Sequence, residues 1–358
     1  MKRSWAIGLA VIALVAGSVL LIGRTWIAQR LFDRALEATV GVDPSTKLPD
    51  GLHAYVCGSG SPMPDASRAG PCIAVLAGQQ AFVFDAGAGS IRKLGRMGFP
   101  MPKLQAAFLT HLHSDHIDGL GELLLQAWVA GGRSAPLPIY GPAGTDRVVA
   151  GFDAAYAIDS GYRVAHHGPK VVNPAGFGGA ASIIALPDGV DSQVVFDQGG
   201  VRITVIRVNH APIAPAFGYR IDYKGRAIAI SGDTVYSPAF VSAAKGADLM
   251  FHEALNKNMV AALGRKLAER GQANNAQIMH DIQNYHASPE DAARAAREAG
   301  VKALVLYHLV PAPPARLIEP LFLGDAPRQF SGMLRLAQDG MIVSLPTGDK
   351  AIEFSSAF

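Results

Sequence analysis

Four side chains that can bind metal ions fall within six consecutive residues of this sequence. They are His111, His113, Asp115 and His116, in the motif HLHSDH, and they directly follow the apolar stretch Ala106–Thr110. On a loop at a strand end, the first two histidines can turn toward one cation, while Asp115 and His116 turn toward another. Imidazole and carboxylate suit zinc, and also manganese or iron. Two such cations about 3.5–4 Å apart can hold one hydroxide between them, so the motif predicts a two-metal hydrolytic centre.

These ligands need a scaffold, and the rest of the sequence has an α/β pattern. Of the 358 residues, 49% are hydrophobic, which is enough for a large buried core. From about residue 52 onward, short apolar strands alternate with helical stretches. The clearest helix is Pro289–Ala299, with Ser288 as its N-cap and Gly300 after its last residue. The predicted strands are His53–Cys57, Cys72–Leu76, Ala81–Phe84, Ala106–Thr110, Val201–Val208, Phe217–Asp222, Ala227–Ile230, Leu249–Phe251, Ala303–Tyr307 and Met341–Ser344.

The HLHSDH motif after a strand resembles the signature of the metallo-β-lactamase fold, and later residues resemble the other members of that signature in order. The resemblance covers about residues 52–345 and implies an α/β protein built as a four-layer αββα sandwich. Asp85, in the motif FDAG, resembles a residue that contacts the metal ligands without binding a metal ion itself. The resemblance implies two divalent ions, Zn²⁺ first, with Mn²⁺ or Fe²⁺ as alternatives. The implied ligands are His111, His113 and His210 for one ion, Asp115, His116 and His308 for the other, and Asp233 bridging both.

Two further motifs resemble one branch of this family, that of tRNase Z and the arylsulfatases. His286 lies in NYHASPE, just before the capped helix, and Glu253 lies in FHEA at the end of another strand. In that branch the histidine protonates a leaving oxygen and the glutamate orients it. The chemistry is independently reasonable, because leaving-group protonation needs an imidazole held in one tautomer by a carboxylate. The predicted catalytic residues are therefore Asp115, His286 and Glu253, acting after attack by a hydroxide held between the metals.

The sequence also departs from tRNase Z, which carries a long arm between its Gly-Tyr-Arg strand and its Ser-Gly-Asp-Thr turn. Here only ten residues separate Arg220 from Ser231. The 32 basic residues are nearly balanced by 29 acidic ones, giving a net charge of +3 without a long basic run. Nucleic acid is therefore not expected as a partner. The loop between Cys57 and Cys72 resembles that of the arylsulfatase-type relatives.

The leading predicted function is hydrolysis of a small ester, either a sulfate ester or a phosphodiester. The alternative is a tRNase Z-like endoribonuclease, and a further alternative is a lactonase or β-lactamase. Asp233 and Tyr236 resemble the Asp-x-x-Tyr of lactonases. A non-catalytic metal-binding module is disfavoured because every implied ligand is present. The oligomeric state is open, and a homodimer is compatible with the sequence.

The N-terminus predicts a membrane segment. Lys2 and Arg3 precede Trp5–Ile22, eighteen residues without a formal charge, which would span roughly 27 Å as a helix. An uncleaved anchor is favoured over a signal peptide, and either implies an inner-membrane-anchored or periplasmic protein. The predicted domains are an anchor or signal at 1–26, a linker at 27–50 and the hydrolase at 51–358. Cys57 and Cys72 either form a disulfide in an exported body or remain buried thiols.

Two segments are predicted to border the active site. Residues 151–200 are rich in glycine, alanine and proline and are interpreted as a loop-and-helix cover, with a tolerated surface insertion as the alternative. Residues 255–284 contain an apolar-periodic helix around Met259–Leu267 and are expected to form another wall of the cleft.

Overall fold

The computed structural model describes residues 2–358, without the side chains of residues 2–4, 6–10, 12, 13, 16, 21 and 22. The chain divides into two compact units, Met1–Pro44 and Ser45–Phe358. The first unit contains one helix, α1 (Lys2–Thr39), so residues 27–39 continue a helix where a linker was predicted.

The predicted membrane segment Trp5–Ile22 lies within α1, and many of its side chains are outside the described residues. Within the part of the chain that is described, no helix combines the length and apolar character that a membrane crossing needs. The predicted N-terminal membrane segment is therefore not supported. The inner-membrane-anchored or periplasmic location was predicted from that segment.

The second unit is built on two β-sheets. The first has the order β15-β14-β1-β2-β3-β4-β5-β6 and the second β13-β12-β11-β10-β9-β8-β7. The strands are β1 (Gly51–Gly58), β2 (Cys72–Ala77), β3 (Gln80–Phe84), β4 (Leu104–Phe108), β5 (Leu137–Gly141), β6 (Gly179–Ile183), β7 (Ser192–Gln198), β8 (Val201–His210), β9 (Ile213–Tyr223), β10 (Arg226–Ile230), β11 (Leu249–Leu255), β12 (Ala303–Val310), β13 (Met333–Leu336), β14 (Met341–Pro346) and β15 (Glu353–Ser356).

The core lies between the two sheets and is rich in aromatic side chains. The rings of Phe84 and Phe108, on neighbouring parallel strands, stack 5.2 Å apart, and Tyr219 from the second sheet lies 5.4 Å from Phe84. The buried Tyr219 hydroxyl donates to the carbonyl of Leu109 at 2.7 Å. Because Leu109 precedes the metal-binding motif, this bond attaches the loop to the opposite sheet.

Helices cover the outer faces of both sheets, which confirms the predicted α/β class. The buried faces of α2 (Ser90–Arg96) and α4 (Leu120–Val129) pack on the first sheet, and those of α6 (Pro238–Ala243) and α9 (Pro289–Ala299) pack on the second. The other helices after α1 are α3 (Ser114–Ile117), α5 (Thr145–His167), α7 (Lys257–Glu269), α8 (Ala273–Asp281), α10 (Glu319–Leu323) and α11 (Ala326–Gln329).

Local sequence accounts for the helix that follows His286. Ser288 Oγ accepts from the Asp291 amide at 3.0 Å, and the Asp291 carboxylate accepts from the Ser288 amide at 3.1 Å. This is a reciprocal capping box, which typically stabilises a helix start by about 1 kcal/mol. Gly300, with φ +67°, ends α9 in the left-handed conformation that glycine adopts without strain. The helix start therefore fixes the backbone two residues after His286.

Two regions differ from the prediction or settle what the sequence left open. Residues 151–200 are more regular than a loop-and-helix cover, since they contain most of α5 and the strands β6 and β7, which extend one sheet each. Cys57 and Cys72, on the paired strands β1 and β2, form a disulfide that is fully buried. Their pairing depends on strand register, which the spacing of the two cysteines does not determine.

Candidate metal centre

The predicted ligands come from strand ends that meet at one edge of the sheets. HLHSDH follows β4, His210 ends β8, Asp233 follows β10, and His308 lies near the end of β12. The strands β10, β11 and β12 run parallel, so their carboxyl ends share an edge. Topology therefore brings together residues that are up to 197 positions apart (111 and 308).

The first group contains three histidines and one carboxylate. His111 Nε2 lies 2.9 Å from His113 Nδ1, which in turn lies 3.4 Å from His210 Nε2. Asp233 Oδ2 lies 3.9 Å from both His111 Nε2 and His210 Nε2. The ligand atoms of the whole group are all within 4.8 Å of one another.

The second group contains two histidines and two carboxylates. His308 Nε2 lies 3.2 Å from Asp115 Oδ2 and 3.4 Å from Asp233 Oδ2. His116 Nε2 lies 3.5 Å from Asp115 Oδ2 and 3.4 Å from Asp233 Oδ1. Asp233 thus faces both groups, with one oxygen toward His116 and the other toward His111, His210 and His308.

These distances fit divalent cations. Four ligands about 2.0–2.1 Å from a tetrahedral ion lie about 3.3 Å from one another, within the range observed in both groups. The buried atoms His116 Nε2 and Asp233 Oδ1 have no hydrogen-bond partner among the described residues. Leaving such atoms unpaired is costly, and a cation between them would remove that cost. The donor set therefore fits two divalent ions.

Hydrogen bonds behind the ligands set their orientation. His116 Nδ1 donates to Asp85 Oδ2 at 2.8 Å, and the Asp85 carboxylate also accepts from the Thr110 amide and hydroxyl, both at 2.8 Å. His210 Nδ1 donates to the carbonyl of Tyr285 at 3.0 Å. Each bond leaves the Nε2 lone pair of its histidine pointing into the cluster, as metal binding requires.

Backbone strain marks two residues of this region. Asp85 and His308 have φ values of +57° and +47°, in the left-handed region that costs a non-glycine residue of order 1–3 kcal/mol. Asp85 follows β3, and His308 lies near the end of β12. A third backbone constraint is Gly87, where a Cβ would lie 2.3 Å from the carbonyl oxygen of Asp115. At Asp85 and His308 the tertiary structure therefore holds the backbone in a conformation that these residues do not favour by themselves.

The electrostatics of the cluster favour the ligand protonation state at two of its residues, Asp233 and His111. Burial by itself would raise the pKa of Asp233, but His308 and His116 hold it well below its ordinary value, so the carboxylate is charged. Burial, and then the neighbouring His116, hold the pKa of His111 well below its ordinary value. His111 is therefore neutral near pH 7, with a free lone pair.

The predicted proton donor and its partner lie against this cluster. His286 Nδ1 is 2.9 Å from Glu253 Oε1, which also accepts from the amides of Thr234 and Ala287 at 3.1 Å. Burial lowers the pKa of His286, but the Glu253 carboxylate outweighs it and raises that pKa to about 9. His286 also forms a group with Asp233 and His308 whose geometry permits metal binding, so two roles are open to it.

Residues without a predicted role also belong to the site. The Thr110 hydroxyl anchors Asp85, and the Tyr285 ring lies 5.3 Å from that of His210 and 5.0 Å from that of His286. Their only sequence signal is that each directly precedes a site histidine. The Tyr236 hydroxyl, by contrast, donates a hydrogen bond to the Glu298 carboxylate on α9.

Comparison with known proteins gives the family. The profile of a family described as the β-lactamase superfamily domain matches residues 80–309. The ribonuclease Z of Mycobacterium avium (strain 104) is 38% identical over 290 residues, which cover 80% of this chain and 96% of that protein. The chain belongs to the β-lactamase superfamily. It is a metal-dependent hydrolase with ribonuclease Z among its relatives, as the motifs predicted.

Further relatives and solved structures agree with this assignment. The ribonuclease Z of Mycobacterium bovis (strain BCG / Pasteur 1173P2) is 36% identical over 291 residues, 80% of this chain and 96% of that one. The metallo-β-lactamase fold protein YhfI from Bacillus subtilis superimposes with a TM-score of 0.56 at 23% identity, covering 82% of this chain and 100% of that chain. Human tRNase Z, short form, gives 0.56 at 22% identity, covering 82% and 99%. The two structures support the fold.

The comparisons overturn two predictions and give no support to a third. The expectation that nucleic acid is not a partner is wrong, because the similar curated proteins are ribonucleases by name. The error has a physical cause: a net charge of +3 is a sum over the whole surface and does not report how charge is distributed. The same relatives contradict the inner-membrane or periplasmic location. The predicted arylsulfatase-like activity gains no support from them.

Proposed function

We propose that this hydrolase is an endoribonuclease of the ribonuclease Z type, which cleaves a phosphodiester bond in RNA with two divalent cations, Zn²⁺ first. One observation carries the proposal: a histidine–glutamate pair, His286 and Glu253, lies beside a double metal-ligand cluster in a chain with ribonuclease Z relatives along most of its length. A proton donor is needed because an alkoxide is a poor leaving group unless it is protonated.

Each residue has a role in this proposal. His111, His113 and His210 would hold one ion, Asp115, His116 and His308 would hold the other, and Asp233, which faces both groups, would contribute to both. Bound divalent ions would polarise the phosphoryl group and lower the pKa of a bound water. Asp115 also accepts a hydrogen bond from the attacking water. His286 gives its proton to the leaving oxygen, and Glu253 keeps the imidazole in the orientation that allows this.

The hairpin of α7 and α8 supports RNA as the substrate. It carries four exposed basic side chains, and only residues 282–284 separate its last helix from Tyr285 and His286. Only two acidic residues, Glu269 and Asp281, lie in the same segment. An excess of exposed cations on a segment that leads into the site can contact phosphates on either side of the scissile bond. The basic residues are Lys257, Arg265, Lys266 and Arg270.

A second candidate is a hydrolase of a small phosphodiester or sulfate ester. The short connection between β9 and β10 favours it, since only Lys224 and Gly225 separate the two strands. An arm that grips a large RNA has no room at that position. This candidate predicts efficient turnover of small diesters without any contribution from the α7–α8 hairpin.

A substrate panel tests both candidates. The full chain, loaded with Zn²⁺ or Mn²⁺, is assayed on a precursor tRNA with a 3′ trailer, bis(p-nitrophenyl) phosphate and p-nitrophenyl sulfate. The proposal expects a higher kcat/KM for the RNA than for either small ester, and cleavage at one position. Replacing Arg265 and Lys266 by Gln should weaken RNA cleavage and leave the small diester unchanged. No RNA cleavage alongside rapid turnover of a small ester would contradict the proposal in favour of the second candidate.

A further inference from the structure

Tyr285 touches the site with its backbone and its side chain in different ways. Its carbonyl accepts the hydrogen bond from His210 Nδ1, while its ring lies edge-on to His210 at an interplanar angle of 82°. The ring is tilted by 47° against that of His286, 5.0 Å away. Tyr285 therefore contacts both a predicted metal ligand, His210, and the proposed proton donor, His286.

The Tyr285 ring is not fully buried by packing. It is only half-buried, whereas the neighbouring His210 and His286 are buried. No hydrogen bond from its hydroxyl to any described residue is formed. A tyrosine used as a core residue would have its ring enclosed and its hydroxyl paired. Part of this ring is therefore exposed, at 5.0 Å from the ring of His286, the proposed proton donor.

We infer that Tyr285 is a substrate-binding residue whose ring stacks on the nucleobase of the nucleotide that carries the leaving oxygen. The inference rests on the proposed ribonuclease function. A nucleotide whose oxygen reaches His286 can place its base within reach of the preceding residue, Tyr285, whose ring lies 5.0 Å from that of His286. Aromatic side chains bind single-stranded nucleotides through stacking, and every base offers a π face, so the contact orients the strand without reading its sequence.

Three variants separate stacking from a structural role. Tyr285→Phe keeps the ring and should retain kcat/KM for RNA within about twofold, because the hydroxyl has no partner to lose. Tyr285→Leu and Tyr285→Ala remove the ring and should lower kcat/KM by about 5- to 150-fold, the usual worth of one stacked base. All three should bind the same number of metal ions as the wild type, because the carbonyl that accepts from His210 belongs to the backbone.

The closing experiment pairs these variants with an RNA that lacks one base. The chemical ends of the wild-type products identify the nucleotide that carried the leaving oxygen, and an abasic residue is placed there. The wild type should lose the same factor on the abasic RNA as Tyr285→Leu loses on the normal RNA, and the two changes together should cost no more than one. An abasic residue on the other side of the scissile bond should have an independent effect.

The outcomes distinguish this inference from the function on which it rests. If the wild type does not cleave RNA, the proposed function fails and the inference fails with it. If the wild type cleaves RNA but Tyr285→Leu matches Tyr285→Phe, or its loss adds fully to that of the abasic residue, the stacking role is overturned and the proposed function stands. If Tyr285→Leu loses both metal and activity, the stacking role is likewise overturned, and Tyr285 instead holds His210 in position.

Discussion

Two buried aspartates at opposite ends of the second sheet show how differently this chain treats a carboxylate. Asp248, just before β11, accepts from Arg226 Nε and the amide of Ala227, both at 3.0 Å, and from Lys302 Nζ at 2.6 Å. Asp233, just after β10, is surrounded by imidazoles at 3.4–4.0 Å, and its Oδ1 has no hydrogen-bond partner among the described residues.

The difference separates a stabilising residue from a binding residue. The charge of Asp248 is neutralised within the protein, so the folded chain gains from it without any ligand. The Asp233 carboxylate faces imidazoles, and its Oδ1 has no hydrogen-bond partner among the described residues, so it is available to an external cation. Glu253 is intermediate: its Oε1 accepts three hydrogen bonds, while its Oε2 has no partner among the described residues.

The largest effect is expected at Asp233. Asp233→Asn removes the charge that faces both ions, so activity on every substrate should fall to background and the protein should bind fewer metal ions. In the metal-free state, its free energy of unfolding should fall by less than that of Asp248→Asn, because Asp233 Oδ1 has no hydrogen-bond partner among the described residues to lose. Metal analysis and urea unfolding measure the two effects. A strongly destabilised metal-free variant would remove the contrast with Asp248.

His286 and Glu253 give the next largest effect. His286→Ala should keep both metals and lower turnover of alkyl esters and RNA by roughly 10²–10⁴-fold, the usual worth of a general acid. Esters of acidic phenols should suffer much less, because their leaving group tolerates charge. Glu253→Gln should show a weaker version of the same pattern. Equal losses on both classes of ester would assign His286 to substrate positioning, and loss of metal would assign it to the ligand set.

Asp248→Asn should act on stability alone. The free energy of unfolding should fall by about 3 kcal/mol, the lower end for breaking a buried ion pair, because Arg226 keeps the carbonyls of Pro346 and Ala351 as acceptors. Activity per folded molecule should be unchanged. The matched control is Asp197→Asn, which breaks the exposed pair with Arg202 and should cost at most about 1 kcal/mol. Equal costs at the two sites would contradict the assignment.

The smallest effect is the pH dependence of the stability that Asp248 contributes through its ion pairs. Burial would raise the pKa of Asp248, but Lys302, the Ala227 amide and Arg226 outweigh it and hold the pKa below its ordinary value of 3.8. A carboxylate with a lowered folded-state pKa stabilises the protein above its unfolded pKa, and this stability is lost as the pH falls through the folded value. The difference in unfolding free energy between wild type and Asp248→Asn should therefore be constant from pH 7 to 5 and shrink below 3.8. A constant difference down to pH 2 would contradict this.

The sequence by itself determined the features whose signal is local. The HLHSDH spacing places four candidate ligands on one loop, the Ser288–Asp291 capping box and Gly300 define α9, and alternating apolar segments give the α/β class. These patterns need only neighbouring residues, because strand pleating, helix periodicity and capping act over a few positions. The superfamily and its hydrolase chemistry followed from the motifs for the same reason, and the comparisons confirm both.

Tertiary structure decided everything that depends on residues distant in the chain. Whether Cys57 meets Cys72, whether Asp85 supports His116, and that the Tyr285 carbonyl accepts from His210 depend on strand order and register, which a single sequence does not specify. The expectation that nucleic acid is not a partner was wrong for a related reason, because summed charge carries no information about where cations lie. Asp233 and Asp248 are both aspartates beside strands in the sequence. Only the folded chain, by surrounding one with imidazoles and the other with Arg226 and Lys302, gives them opposite roles.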